Sequence, residues 1–296
     1  MSQPPVALVT DSTCDLPPDL ARAHDIIVVP LTVTLEGRSY RDGVDITPEA
    51  FYRQLATSSA PATTSQPSPG QFAAVYEQAL ATHARVLSLH LSSKLSGTYA
   101  AALQGAELVG RDRVRVVDTG MVSLPLALVV LAASRMLKEG ADPDRVVAEL
   151  RPIQEAMRVY FVVGTLEYLH RGGRIGRAGA LVGSLLQVKP VLTLEEGEVS
   201  LLERVRTQER ALSRVVQLAR EVEQPLCTVI GHAAAEAAAG RLAAALEPIS
   251  ESLLVGAVGP VVGAHAGPGT VGVSCYPARL FPLALPRGTS GSSARG

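Results

Sequence analysis

The feature that most constrains this chain is the alternation, through its first half, of short Val/Ile-rich runs with longer stretches of helical periodicity. "VALVT", "IIVVPLTVT", "RVLSLHL" and "RVRVVDT" read as strands. Between them helices are expected near Pro18 to His24, Pro48 to Ala56, Gly70 to Thr82, Gly97 to Val109 and Met121 to Glu139. Apolar runs without strict polar alternation belong to strands covered on both faces, and strands separated by helices pair in parallel. The fold class is therefore α/β, with an N-terminal parallel doubly wound sheet. In such sheets ligands sit beyond the carboxyl ends of strands. That directs attention to Asp11 to Asp15, Ser92 to Gly97 and Asp118 to Gly120.

After a helix expected around Pro143 to Ala156 the pattern changes. "YFVVGT" precedes the glycine-rich "HRGGRIGRAG", whose turn is expected to lead into a helix at Ala178. "KPVLTL", "EVSLLERVR", a charged helix, "PLCTVIG", an Ala-rich helix and "SLLVGAVG" follow. "LEEGEVSLLERV" reads as a β-hairpin around Gly197, and the order of elements suggests a smaller two-layer α+β unit. The expected domains are 1–158 and 159–270, with a ligand between them. "VSCYPARLF" is compatible with a strand at about 270–285 that completes the first domain. Residues 287–296 have the composition of a flexible tail. No internal repeat is visible.

Composition excludes several functions. With 27 Lys+Arg against 28 Asp+Glu the net charge is -1, so no overall field draws the chain to nucleic acid. Cys14, Cys227 and Cys275 are far apart, odd in number and form no C-x-x-C, which supports neither a disulfide framework nor a zinc site. "MSQPPVALVTDST" lacks a basic n-region and reads as a first strand. The longest apolar run, Met121 to Ser134, is too short to span a bilayer and reads as a buried helix. A cytoplasmic protein with no transmembrane segment, and at most transient membrane contact, is expected.

Sequence motifs narrow the chemistry. Gly267-x-Gly269-x-x-Gly272 follows an apparent strand, but "VGVSCY" continues as strand and no acidic residue follows Glu251, so a dinucleotide site is not supported. "RGGRIGRAG" is not a Walker loop; Arg171, Arg174 and Arg177 are read either as solvated or as able to reach an anion. No G-x-S-x-G or H-E-x-x-H is present. His265, beside a Gly-Pro-Gly turn, is a satisfied histidine or a ligand contact. Asp11, Asp15 and Asp118 are equally helix caps or an acid–base set.

In "HLSSKLSGTY" a helix opens at Ser96-Gly97-Thr98 after a strand, so free N–H groups, the helix dipole and hydroxyl donors converge. In "TTSQPSPGQF", Thr63, Thr64 and Ser65 sit in a loop before the next helix, either as capping and turn chemistry or as further neutral donors. Together these suit one carboxylate better than a polyphosphate. The chain is 47% hydrophobic with only 4% aromatic residues and no Trp. A cavity lined by Leu, Val, Ala and Gly suits an alkyl chain, and a dozen methylenes at about 0.8 kcal/mol each would contribute about 10 kcal/mol before ordering entropy.

"DSTCDLP", "VPLTVTLEG", "YRDGVDIT", "TTSQPSPGQF", "LSSKLSGTY", "VVDTGMVS", "LEYLHRGGRIGRAGALVGSLLQVKPVL", "ERVRTQERAL" and "HAGPGTVGV" occur in the order expected of the DegV family, which the chain resembles up to about Pro277. The resemblance implies a two-domain carrier, not an enzyme and without cofactor. It would hold one long-chain fatty acid, tail buried and carboxylate between the domains. An ATP-binding fatty acid kinase subunit would be its partner, forming acyl phosphate for phospholipid synthesis. By motif it implies that Thr64, Ser96, Arg174 and His265 surround the head group. Thr63, Ser65, Gly97 and Thr270 are adjacent candidates, and Arg206 lies in a region that docks the kinase or is a solvated helix-end arginine. Ala266 departs from the pattern, where Thr is common. The competing readings are a stand-alone serine esterase or acyl transferase using Ser96 and His265, and a lipid sensor or transporter without a kinase.

Overall fold

Walking the chain, the first part comprises β1 (Val6–Asp11), α1 (Pro18–Ala23), β2 (Ile26–Val29), β3 (Thr32–Leu35), β4 (Arg38–Arg41), α2 (Pro48–Thr57), β5 (Thr63–Ser65), α3 (Pro69–Leu80), β6 (Arg85–His90), α4 (Thr98–Val109), β7 (Val114–Asp118), α5 (Leu124–Lys138) and α6 (Pro143–Ala156). The second comprises β8 (Arg158–Val162), α7 (Glu167–Arg171), β9 (Lys189–Glu195), β10 (Glu198–Val205), α8 (Gln208–Arg220), β11 (Leu226–His232), α9 (Glu236–Leu246), β12 (Ser250–Ala257), α10 (Pro260–Ala266), β13 (Val271–Pro277) and β14 (Gly288–Thr289). These come from a computed structural model that describes residues 6–181 and 189–285 and the backbone of 288–289.

The first sheet is parallel, in the order β2-β1-β6-β7. Leu8, Leu87 and Leu89 on one face pack with α5, while Ala7, Val9 and Val86 on the other lie under Phe72 and Tyr76 of α3 and Ala102 of α4. Both faces are covered, as the unbroken apolar runs require. The order reverses between β1 and β6, and their carboxyl ends open on one crevice.

One expected strand is in fact two. Pro30 ends β2, because proline brings no N–H to a ladder. After it the chain leaves the parallel sheet, and β3 pairs antiparallel with β4 and β5 in a separate three-stranded sheet. Thr63 to Ser65 are therefore edge-strand residues and not loop, with Thr64 opposite Val33. Their neighbour Ser68 is the cap of α3: its hydroxyl accepts from Gln71 N while the Gln71 side chain accepts from Ser68 N.

The second sheet has seven strands, β10-β9-β8-β13-β11-β12-β14. The hairpin around Gly197 forms as expected, from β9 and β10. The run expected at about 270–285 to return to the first sheet does not do so. β13 inserts antiparallel between β8 and β11, burying Val271, Val273 and Cys275 with α8 and α9. Its opposite face meets α5, whose residues Leu126 to Ala133 are all at most 1% exposed. A helix apolar on every side is the common core of both sheets. Within the expected tail, Gly288–Thr289 pair with Leu254 and Val255, and the rest of 287–296 lies outside the described residues. At Ala178 the structure has a 3-10 turn, Gly176–Leu181, in place of the expected helix.

Candidate functional site

Between the two large sheets lies a cavity of about 390 Å³, lined by Thr13, Leu91, Leu95 and Ser96 from the crevice at β1 and β6, by Leu124 and Pro125 of α5, and by Val159, Phe161, Gly231, Gly272 and Ser274 of the second sheet. Its size falls in the range of small-molecule sites. Polar side chains gather on one side. Thr64, Ser65, Gln66, Ser96, Arg174, His265 and Thr270 all line it. Elements distant in sequence converge here: β5, the loop between β6 and α4, the turn after α7, and α10.

His265 lies in the last turn of α10 and not beside a strand, so the strand thought to precede the Gly267-x-Gly269-x-x-Gly272 run is a helix. Its Nε2 is 2.8 Å from Thr64 Oγ1. Its Nδ1 is buried and has no partner among the described residues. Burial, then the nearby Arg174 charge, lowers its pKa to about 4, so the imidazole is neutral at pH 7. With the proton on Nε2, His265 donates to Thr64, and the Thr64 O–H is free to donate into the cavity. Gly172 makes this possible: a Cβ there would come 2.2 Å from His265 Nδ1.

Of the three arginines in the glycine-rich stretch, two are used on the surface. Arg171 pairs with Glu167, and Arg177 with Glu195 and Glu196. Only Arg174 reaches the cavity. Its Nε donates to Leu95 O at 3.0 Å and its Nη1 to Gly172 O at 2.7 Å, which fixes the guanidinium without neutralising it. No carboxylate pairs with Arg174 among the described residues. A half-buried cation held by carbonyls alone is a site for an anion.

Ser96 Oγ is 2.9 Å from Thr98 Oγ1 and accepts from Thr98 N at 3.3 Å, just before α4. It has no hydrogen bond to His265, so the nucleophile–base pair of an esterase is not assembled. Thr270 lines the cavity and donates to Ala266 O at 2.8 Å, closing the turn after α10. Thr63, exposed at the start of β5, does not line it. Neither does Gly97, which instead lets Gln66 pass, because a Cβ there would meet Gln66 Oε1 at 2.4 Å. Arg206 is exposed between β10 and α8, away from the cavity.

Sequence reasoning missed Gln66, Thr13, Ser123 and Ser274. Gln66 adjoins the hydroxyl run and Thr13 lies in the strand-end segment Asp11 to Asp15, so both were legible there; Ser123 and Ser274 have no signal beyond residue type. The strand-end aspartates proved structural. Asp118 accepts from Gly120 N and Ser93 N, and Asp11 from Thr13 and from His90 Nδ1 at 2.9 Å. His90 Nε2 lies 2.7 Å from Ser88 Oγ, giving an Asp–His–Ser chain, but all three residues are 0% exposed, so no substrate reaches them. Asp15 accepts from Ser123 and Asp42 from Ser12. Burial above all, with mutual repulsion, pushes the Asp15 carboxyl up; burial alone dominates at Asp42, raised to about 7.

Comparison with known proteins agrees with this architecture. The family model described as "Uncharacterised protein, DegV family" matches residues 5–278. DegV domain-containing protein SCO2569 of Streptomyces coelicolor is 42% identical over 274 residues, covering 90% of this chain and 97% of that one. Among solved structures, the one described as fatty acid binding of a DegV family protein from Thermus thermophilus is 41% identical with a TM-score of 0.87, covering 92% and 99% of the two chains. A stearic-acid-binding protein from Eubacterium ventriosum is 27% identical with a TM-score of 0.83, covering 94% and 100%. With its ordered motifs, its sheet topology and a family match over almost its whole length, this chain belongs to the DegV family.

Proposed function

We propose that this protein binds one long-chain fatty acid, its tail in the cavity between the sheets and its carboxylate among Thr64, Ser96, Arg174 and His265, and presents it to an ATP-dependent kinase partner that phosphorylates the carboxylate. The observation that carries the reading is Arg174: a fixed guanidinium without a carboxylate partner among the described residues, at the polar side of a cavity walled mainly by apolar residues. A buried carboxylate needs a cation and several donors, and the cluster supplies both. Apolar walls supply affinity for the tail at about 0.8 kcal/mol per methylene. The fatty acids bound by the Thermus and Eubacterium relatives support the ligand class. Lining by Leu91, Val159 and Phe161 suits a carrier that buries an alkyl chain. Three buried, unpaired cysteines suit a cytoplasmic setting.

The test is native mass spectrometry of freshly purified protein before and after solvent extraction, on the wild type and on Thr64→Val with Ser96→Ala. Loss of one fatty-acid mass on extraction, and about tenfold weaker retention in the double variant, are expected. A wild type that never carries or takes up a fatty acid refutes the reading. For the kinase step, co-purification of an ATP-binding partner that weakens with Arg206→Glu is expected.

A further inference from the structure

Alternation along β13 sends Gly272, Ser274 and Tyr276 toward α5, opposite to Val271, Val273 and Cys275. Ser274 sits between Val159 of β8 and Val229 of β11, and lines the cavity together with Val159 and Pro125. It is 4% exposed. Two other hydroxyls in the cavity wall are already used: Thr13 donates to Asp11, and Ser123 to Asp15. The Ser274 hydroxyl has no hydrogen-bond partner among the described residues. It is also far from the head-group cluster. Thr270, beside His265's helix, precedes it by four extended residues, roughly 13 Å along the strand.

A fatty acid anchored at Thr64 and Arg174 would therefore lay the middle of its hydrocarbon chain over Ser274. Covering an unpaired hydroxyl with methylenes removes its bond to water and returns nothing, whereas an oxygen on the chain restores the bond. A site built to hydrogen-bond a ligand oxygen rejects the analogue lacking it.

We propose that Ser274 is a polar subsite for a mid-chain oxygen, so that the cavity takes a hydroxylated long-chain fatty acid in preference to the plain saturated acid. This rests on the fatty-acid reading above. The test is competition between octadecanoic acid and its 10- or 12-hydroxy derivative for delipidated protein, read as the ratio of the two loaded species by native mass spectrometry. The wild type is expected to favour at least one hydroxy acid, and Ser274→Ala to lower that preference about tenfold. Both acids loading equally well in the wild type, or a preference unchanged by Ser274→Ala, overturns the subsite and leaves the carrier reading intact. If folded, delipidated wild type loads neither acid, the carrier reading fails and the subsite with it. The wild-type ratio decides even if the variant does not fold.

Discussion

Replacing Asp42 by Asn tests whether the carboxylates under the cavity wall are buried against their charge. Asp42 is 3% exposed, accepts from Ser12 Oγ at 2.9 Å, and is raised from 3.8 to about 7, mainly by burial. Asp15, whose Oδ1 has no partner among the described residues, is raised by burial and by Asp42. The folded state thus holds the Asp42 proton more tightly than the unfolded chain does. Its contribution to stability is present in full below pH 4 and is lost as pH rises to about 7. At 1.36 kcal/mol per pH unit the loss approaches about 4 kcal/mol. Asparagine keeps the shape and an oxygen for Ser12 but never ionises. Allowing for the burial of its amide, Asp42→Asn should exceed wild type by about 2 kcal/mol at pH 8. Urea unfolding at pH 5 and pH 8 is the assay: the wild-type midpoint should fall between these values, and the variant's should fall much less. Equal pH dependence in the two proteins would refute the reasoning.

Two further outcomes follow from packing. Leu128→Ala, at a fully buried position of α5 shared by both sheets, should cost about 2–5 kcal/mol in urea unfolding; a loss below 1 kcal/mol would mean the helix is not their common core. Gly172→Ala places a Cβ 2.2 Å from His265 Nδ1, so the imidazole must leave Thr64 and fatty-acid retention should fall about tenfold, while Gly173→Ala, whose Cβ meets nothing within 4 Å, should leave His265 in place, as seen in the imidazole NMR shifts.

Much of the site was legible because its residues sit in short motifs where hydroxyls and glycines punctuate strand ends. Thr64, Ser96, Arg174, His265 and Thr270 all reach the cavity. Thr63, grouped with them by adjacency, does not: it is exposed at the start of β5, opposite Thr34, in the small sheet into which the chain diverts after Pro30. That diversion depends on which partner β3 finds, and a strand carries no sequence record of its partner.

By itself the sequence determined the alternating elements, the parallel sheet covered on both faces and the buried helix carried by the apolar run from Met121 to Ser134, because each follows from local periodicity and burial. Only the tertiary structure decided that Val271–Pro277 joins the second sheet, that Arg174, unlike Arg171 and Arg177, has no carboxylate partner among the described residues, and that Asp42 is buried with the carboxyl of Asp15 close by. Pairing, charge compensation and desolvation depend on what lies across the fold, at separations no local pattern encodes.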